Sequence, residues 1–145
     1  MNRFPIILLI TAIFIASCEN NEDVVKTDEN SLQGEWEVNA YIDDTFIYGP
    51  FSLQTDDGVF LTNDSMLLRD TAKDFWNFQV KVAAERGEET FETQKSICEV
   101  CEYNIGIKIF NGRIFNSDSI YLEIQFEDDE TPYGNTYQLK GYKVN

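Results

Sequence analysis

The chain has 145 residues, with 26 acidic against 11 basic side chains, a formal net charge of −15 and no histidine. This length suits a single domain, and the missing histidine excludes Ser-His-Asp catalysis, Cys-His catalysis and every histidine-ligated metal site. The acidity argues against nucleic acid as a partner, because phosphate binding needs clustered Lys and Arg. Apolar residues make up 43% of the chain and aromatic residues 14%, which predicts a folded domain rather than a disordered acidic tail.

Residues 1–17 predict an export signal. Arg3 supplies a positive start, and an apolar stretch over residues 4–16 follows it, too short for a membrane span of about 20 residues. The stretch ends in small residues and then Cys18, which resembles the lipobox of bacterial lipoproteins. That resemblance implies that Cys18 is acylated, for example with palmitate, and becomes the mature N-terminus. An ordinary secretory signal and a retained membrane anchor are the alternatives.

Residues 18–31 predict an acidic, flexible linker without aromatic residues. Its first acids, Glu19, Glu22 and Asp23, resemble the signals that send lipoproteins of Bacteroidetes to the cell surface. A merely solvated linker explains the same acids. We therefore expect an exported outer-membrane lipoprotein that its lipid holds to the membrane. If the acids are an export signal, the protein is exposed at the cell surface; if they form only a solvated linker, they do not indicate surface exposure.

Residues 32–145 predict antiparallel strands, because apolar side chains recur at every second position and no stretch has the period of an amphipathic helix. Five runs show this alternation, with the apolar members Trp36, Val38, Ala40, Ile42; Trp76, Phe78, Val80, Val82; Ile105, Ile107, Ile109; Ile120, Leu122, Ile124, Phe126; and Tyr137, Leu139. Asn111-Gly112 predicts a type I′ hairpin turn between two of the strands. We expect eight to ten short strands in a sandwich or barrel, and the charged outward faces argue against a lipid-facing outer-membrane barrel.

Cys98 and Cys101 remain as a pair if Cys18 carries the lipid. In an exported protein this pair predicts a local disulfide that closes a tight turn. Two reduced thiols or a redox pair are the alternatives, although Glu99 and Glu102 place negative charge beside the sulfurs and so disfavour the thiolate. A zinc site with four cysteine ligands would need two more cysteines.

The order of several motifs resembles a known family. Gly34-Glu35-Trp36 resembles the G-x-W start of lipocalin-like barrels. The later features resemble the lipid-binding putative hydrolase family of Bacteroidetes lipoproteins, and they are Asn63-Asp64-Ser65-Met66, the run from Phe75 to Val82, Asn111-Gly112, Asp118-Ser119-Ile120 and the run from Tyr137 to Gly141. The resemblance covers about residues 32–144. It implies an all-β, antiparallel, lipocalin-like barrel of roughly eight strands over residues 32–145, with room for one small apolar ligand.

The inward apolar rows suggest a cavity that binds a lipid or another small apolar ligand. The candidate lining residues are Trp36, Val38, Trp76, Phe78, Ile107, Leu122 and Phe126. The alternative is that these side chains fill the barrel, and that the protein is a non-catalytic accessory of a surface assembly for uptake or adhesion. A broad exposed apolar patch would indicate that role. Its candidate members are Tyr41, Phe46, Tyr48, Phe51 and Phe75.

Catalysis is the third interpretation, and the sequence supplies little for it. The serines have neither a histidine base nor a nucleophile elbow, so a hydrolase would need two facing carboxylates. The acidic loops at residues 43–44, 56–57 and 128–130 do not follow the calcium pattern of an EF-hand, and solvated turns explain them. The sequence therefore predicts no catalytic residue, no metal ligand and no cofactor.

Overall fold

The computed structural model of the chain describes residues 32–56 and 64–145. The predicted signal peptide, the acidic linker and Cys18 lie outside these residues. Among the described residues, no helix has the length and apolarity that crossing a membrane requires.

Eight antiparallel strands form one closed barrel. They are β1 (Gly34–Ile42), β2 (Thr45–Asp56), β3 (Ser65–Asp70), β4 (Gln79–Glu85), β5 (Thr90–Ile97), β6 (Gly106–Phe115), β7 (Ser119–Phe126) and β8 (Tyr137–Lys143). Each strand pairs with its neighbour in the chain, and β8 closes the barrel by pairing with β1. The predicted all-β barrel of roughly eight antiparallel strands is confirmed.

The period-two pattern decides which side chains enter the barrel. In β7, Ile120, Leu122, Ile124 and Phe126 are buried, while the residues between them are half-exposed. The neighbouring strands continue the same layers, since Leu122 lies opposite Leu139 of β8 in the register. Successive strand residues point to opposite sides of a sheet, so this alternation gives the barrel an apolar interior and a polar exterior.

The predicted hairpin turn at Asn111-Gly112 is wrong, because both residues lie inside the continuous strand β6. Asn111 has a φ of 50°, and the register against β7 shifts between Phe110 and Arg113. A left-handed residue followed by an extra position is a β-bulge, which uses the same Asn-Gly chemistry as a type I′ turn. Gly112 also needs its missing side chain, because a Cβ there would collide with Phe91.

The two ends of the barrel differ in their loops. One end, which we call the loop end, carries residues 43–44 and the longer segments 71–78, 98–105 and 127–136. The opposite base end includes the short connections 86–89 and 116–118. At the base end the Trp36 Nε1–H donates to the Thr55 hydroxyl over 2.9 Å, and that hydroxyl in turn donates to the Leu32 carbonyl.

Candidate functional site

The barrel interior is packed with side chains. Val38, Ile107 and Leu122, in the middle of the barrel, have 0% of their surface exposed. Side chains facing a void large enough for water would keep accessible surface, and these do not. The middle of the barrel therefore resembles an ordinary close-packed protein core.

An aromatic cluster closes the loop end of the barrel. Its centre is Phe75, a half-buried side chain of the β3–β4 loop whose ring lies 4.9 Å from that of Phe51 and 5.5 Å from that of Tyr137. Trp76 stacks on Phe126 with 4.2 Å between the ring centroids. We call this cluster the aromatic plug, and its members are Tyr48, Phe51, Phe75, Trp76, Phe78, Phe126 and Tyr137.

Asp70, at the end of β3, holds the loop that carries the plug. Its side chain is buried, and its Oδ2 accepts the backbone N–H groups of Phe75 at 2.8 Å, Trp76 at 3.1 Å and Asn77 at 3.3 Å. Its Oδ1 accepts the N–H of Asp74 at 3.2 Å. Among the described residues it is the one buried carboxylate, and both of its oxygens bind backbone rather than face a second acid.

Contacts across the loop end join the plug to the β7–β8 loop. The Trp76 Nε1–H donates to Asp128 Oδ1 over 2.9 Å. Asp129 Oδ2 accepts the Tyr137 hydroxyl at 3.1 Å and the Asn135 amide at 2.9 Å. Burial, followed by this bond to Asp129, raises the pKa of Tyr137 from 10.0 to about 12, so the hydroxyl remains a hydrogen-bond donor at a pH where an exposed tyrosine would lose its proton.

The β5–β6 loop reaches the same region. The sulfur atoms of Cys98 and Cys101 lie 2.08 Å apart, within bonding distance for a disulfide. Cys98 is fully buried, and its N–H donates to the carbonyl of Ile105 over 2.9 Å. The Cys101 sulfur lies 3.5 Å from the carbonyl oxygen of Asn77, so the bridged turn sits directly against the plug loop.

Two adjoining clefts flank the plug. The plug cleft, of about 440 Å³, is lined by Lys73, Phe75, Trp76, Asn77, Cys101, Glu102 and Asp128. The side cleft, also about 440 Å³, is lined by Gln54, Arg69, Asp70, Thr71, Lys73, Asn77, Phe78, Gln79 and Val100. A third cleft, of about 530 Å³, lies away from the plug and includes Phe91 and Gly112 in its wall.

Exposed apolar side chains surround the loop end. They come from the β1–β2 hairpin and from the bridged turn on the other side of the barrel, and they are Phe46, Ile47, Tyr48, Ile97, Val100 and Tyr103. Of the candidates for an exposed patch, Phe46 and Tyr48 are exposed, Tyr41 and Phe75 are half-buried, and Phe51 is buried.

The structure separates the seven candidate lining residues into three places. Trp36 lies at the base end, Val38, Ile107 and Leu122 lie in the packed interior, and Trp76, Phe78 and Phe126 meet in the plug. Trp76 and Phe78 were expected in a strand, but β4 begins only at Gln79, so both belong to the preceding loop.

Sequence reasoning missed Asp70 and the central place of Phe75. The available signal was the run of loop-forming residues from Asp70 to Asp74, directly before two consecutive aromatic residues that break the alternation. Of the described residues, no group of three or more acids or cysteines is arranged to hold a metal ion. Asp44 instead pairs with Lys140 over 2.6 Å.

The family model described as lipid-binding putative hydrolase matches residues 21–144, which include all eight strands. No curated protein matches the chain.

Proposed function

We propose that this chain, which belongs to the lipid-binding putative hydrolase family, binds a lipid or another small apolar ligand at the loop end of its barrel. The observation that carries the proposal is the plug cleft, where the half-buried rings of Phe75 and Trp76 border a space of about 440 Å³. Small-molecule sites have volumes of about 300 to 1,000 Å³ and combine apolar surface with polar groups. The plug cleft falls within this range and sets the two rings among the polar side chains Lys73, Asn77, Glu102 and Asp128.

The loop end is a better site than the middle of the barrel. A ligand in the middle would have to displace side chains such as Leu122 and Ile107, which are fully buried. Losing the packing of one such residue costs about 2 to 5 kcal/mol. A ligand over Phe75 and Trp76 covers apolar surface that is already partly accessible and leaves the core intact.

The expected affinity follows from the buried chain length. Each buried methylene group contributes about 0.8 kcal/mol, so about ten of them supply roughly 8 kcal/mol. That free energy corresponds to a Kd of about 1 μM, before the cost of association weakens it. We therefore expect a single alkyl chain to bind with a Kd between about 1 μM and about 1 mM.

Fluorescence quenching by a dibrominated fatty acid tests this placement. The chain has two tryptophans, Trp76 in the plug and Trp36 at the base end. Because bromine quenches only a tryptophan close to it, Trp36→Phe should show saturable quenching from the remaining Trp76. Trp76→Phe should show none, while displacement of a dansylated fatty acid verifies that this variant still binds.

Two results would contradict the proposal. Quenching of Trp36 without quenching of Trp76 would place the ligand inside or below the packed core. Absence of saturable quenching in the wild type and in Trp36→Phe, together with no binding of the dansylated probe, would show that the loop end binds no alkyl chain.

The anchoring part of the proposal rests on the sequence. Acylation of Cys18 would make the protein an outer-membrane lipoprotein, with residues 18–31 as its tether. Cys18→Ser should abolish metabolic labelling with a palmitate analogue and shift the protein out of the membrane fraction or leave it unprocessed. Wild-type labelling and processing of this variant would contradict the anchor.

A non-catalytic accessory role is the second candidate, and the exposed apolar residues around the loop end favour it. The double variant Phe46→Ser, Ile47→Ser removes two of them without touching the plug cleft. We call these exposed apolar residues the rim. If the rim packs on another protein of a surface assembly, chemical crosslinking in cells should join the wild type to that protein and should not join the variant to it. Unchanged crosslinking would exclude this role for the rim.

A further inference from the structure

The side cleft collects positive charge in a strongly acidic protein. Arg69 and Lys73 both line it, although the whole chain carries a net charge of −15. The amides of Gln54, Asn77 and Gln79 add neutral donors to the same wall. Cations combined with several neutral donors are the groups that bind carboxylates and phosphates in proteins.

Lys73 is free to take a new partner. Arg69 is already oriented, since its Nε–H donates to Gln54 Oε1 over 2.8 Å and its guanidinium lies 3.7 Å from Asp56. In the part of the chain that the structure describes, the ammonium group of Lys73 forms no ion pair or hydrogen bond. The ammonium group of Lys81 also forms none, which makes Lys81 a suitable control. Lys81 points outward from the middle of β4 and borders neither loop-end cleft.

The charges around the two clefts orient an anionic amphiphile. Lys73 and Asn77 line both clefts, so the clefts adjoin at these two residues. Glu102 and Asp128 border the plug cleft and would repel an anionic head group there. In the side cleft the carboxylate of Asp70 is held by four backbone N–H groups, which compensate its charge.

We propose that the side cleft binds the anionic head group, a carboxylate or a phosphate, of the amphiphile whose chain packs on the aromatic plug. Lys73 is the residue that determines this preference. The inference rests on the proposed lipid-binding function and adds the head-group chemistry to it.

The test compares ligands that share one chain and differ in the head group. A fatty acid, an alkyl phosphate and a fatty alcohol of equal length are titrated against the wild type, with inorganic phosphate as a fourth arm. A hydrogen bond to a charged group contributes about 1.5 to 3 kcal/mol. We therefore expect the acid or the alkyl phosphate to bind about tenfold or more tightly than the alcohol.

Variants then assign the preference to one residue. Lys73→Gln and Lys73→Glu should weaken binding of the anionic ligands by about tenfold or more relative to binding of the alcohol, so that the preference for an anionic head group is lost. Lys81→Glu makes the same charge change outside both clefts and should leave the preference intact. Lys73 is exposed on a loop, and equal urea midpoints for all variants would verify that each one folds.

The ligands and variants together distinguish the ways in which the proposal could be wrong. Equal affinity for the alcohol, the acid and the alkyl phosphate in the wild type overturns the head-group site but leaves chain binding in place. Equal losses in Lys73→Glu and Lys81→Glu overturn the role of Lys73, because the effect is then one of net charge. Binding of inorganic phosphate as tight as that of the alkyl phosphate overturns the amphiphile in favour of free phosphate. Failure of all three amphiphiles overturns the proposed function itself.

Discussion

Asp70 shows how one side chain can organise a loop. A buried carboxylate is costly unless hydrogen bonds compensate it, and four backbone N–H groups of residues 74–77 do so here. The same bonds satisfy donors that a loop crossing the barrel mouth would otherwise leave unpaired. The position of Phe75 in the plug therefore depends on the Asp70 side chain at the end of β3.

Replacing Asp70 tests this role. Asp70→Ala should destabilise the protein by about 3 kcal/mol, because it leaves several buried N–H groups without an acceptor. It should also increase hydrogen exchange across residues 71–78. Asp74→Ala removes an exposed acid from the same loop and is the matched control, expected within about 0.5 kcal/mol of the wild type. Equal urea midpoints for the two variants would contradict the role of Asp70.

Tyr121 and Tyr137 predict a loss of stability at alkaline pH. The pKa of each is raised to about 12 from an ordinary value of 10.0, in both cases chiefly by burial, so the folded protein keeps protons that the unfolded chain releases. Below pH 10 both states are protonated and these groups give no pH dependence. Between about pH 10 and pH 12 the free energy of unfolding should fall.

Denaturant unfolding at several pH values measures this effect. The double variant Tyr121→Phe, Tyr137→Phe should have a smaller decline of stability between pH 10 and pH 12 than the wild type. Tyr103→Phe, at an exposed position, serves as the control and should decline like the wild type. A double variant with the full wild-type decline would show that other groups cause it.

At the scale of elements, the bridged turn is a local constraint. The disulfide joins residues only three positions apart, so it restricts little of the unfolded chain. The loop-entropy relation gives about 2 kcal/mol for so short a closure. Its position against Asn77 suggests that it supports the plug loop more than the barrel.

Two measurements address the disulfide. The intact mass of the exported domain without reductant should be two hydrogens below that of the reduced domain, and thiol labelling should find nothing at Cys98 or Cys101. The double variant Cys98→Ser, Cys101→Ser should lose at most about 2 kcal/mol. Labelling of both cysteines without reductant would contradict the bond.

The strands also show where the alternation of apolar residues predicts the inward side chains and where it does not. The runs in β1, β7 and β8 have uninterrupted apolar faces, and the sequence identifies their inward residues. In β6 the bulge at Asn111-Gly112 moves the buried row from Ile107 and Ile109 to Gly112 and Ile114. β5 buries a single large apolar side chain, Phe91, and therefore has no such pattern. In β2 and β3 the inward rows include the polar residues Thr55 and Asp70. Thr55 binds Trp36 and Leu32, which are distant in the chain, and Asp70 binds the backbone of the loop that follows β3.

The site was less predictable than the fold for the same reason. The plug brings together rings from β2, β7, β8 and a loop, and no spacing within one segment encodes such a meeting. The wrong prediction of a hairpin turn at Asn111-Gly112 has another cause. The same local backbone conformation occurs in a turn and in a bulge, and the pairing of β6 with β5 and β7 decides which of the two forms.

For the whole molecule, the packed interior predicts the response to core truncation. Leu122→Ala should cost about 2 to 5 kcal/mol and Phe78→Ala about 3 to 5 kcal/mol, because each leaves a cavity among fully packed neighbours. Phe46→Ala, on the exposed rim, should stay within about 0.5 kcal/mol of the wild type. Urea unfolding measures all three, and a loss below 1 kcal/mol for Leu122→Ala would indicate a hollow barrel.

Leu32 lies at the base end of the barrel, opposite the loop end that carries the clefts. The described chain enters the barrel there, with the Leu32 carbonyl held by Thr55, whereas the plug and its two clefts occupy the opposite pole. If Cys18 carries the proposed lipid, the anchored segment joins the barrel at the base end, and the two clefts lie at the end farthest from that attachment.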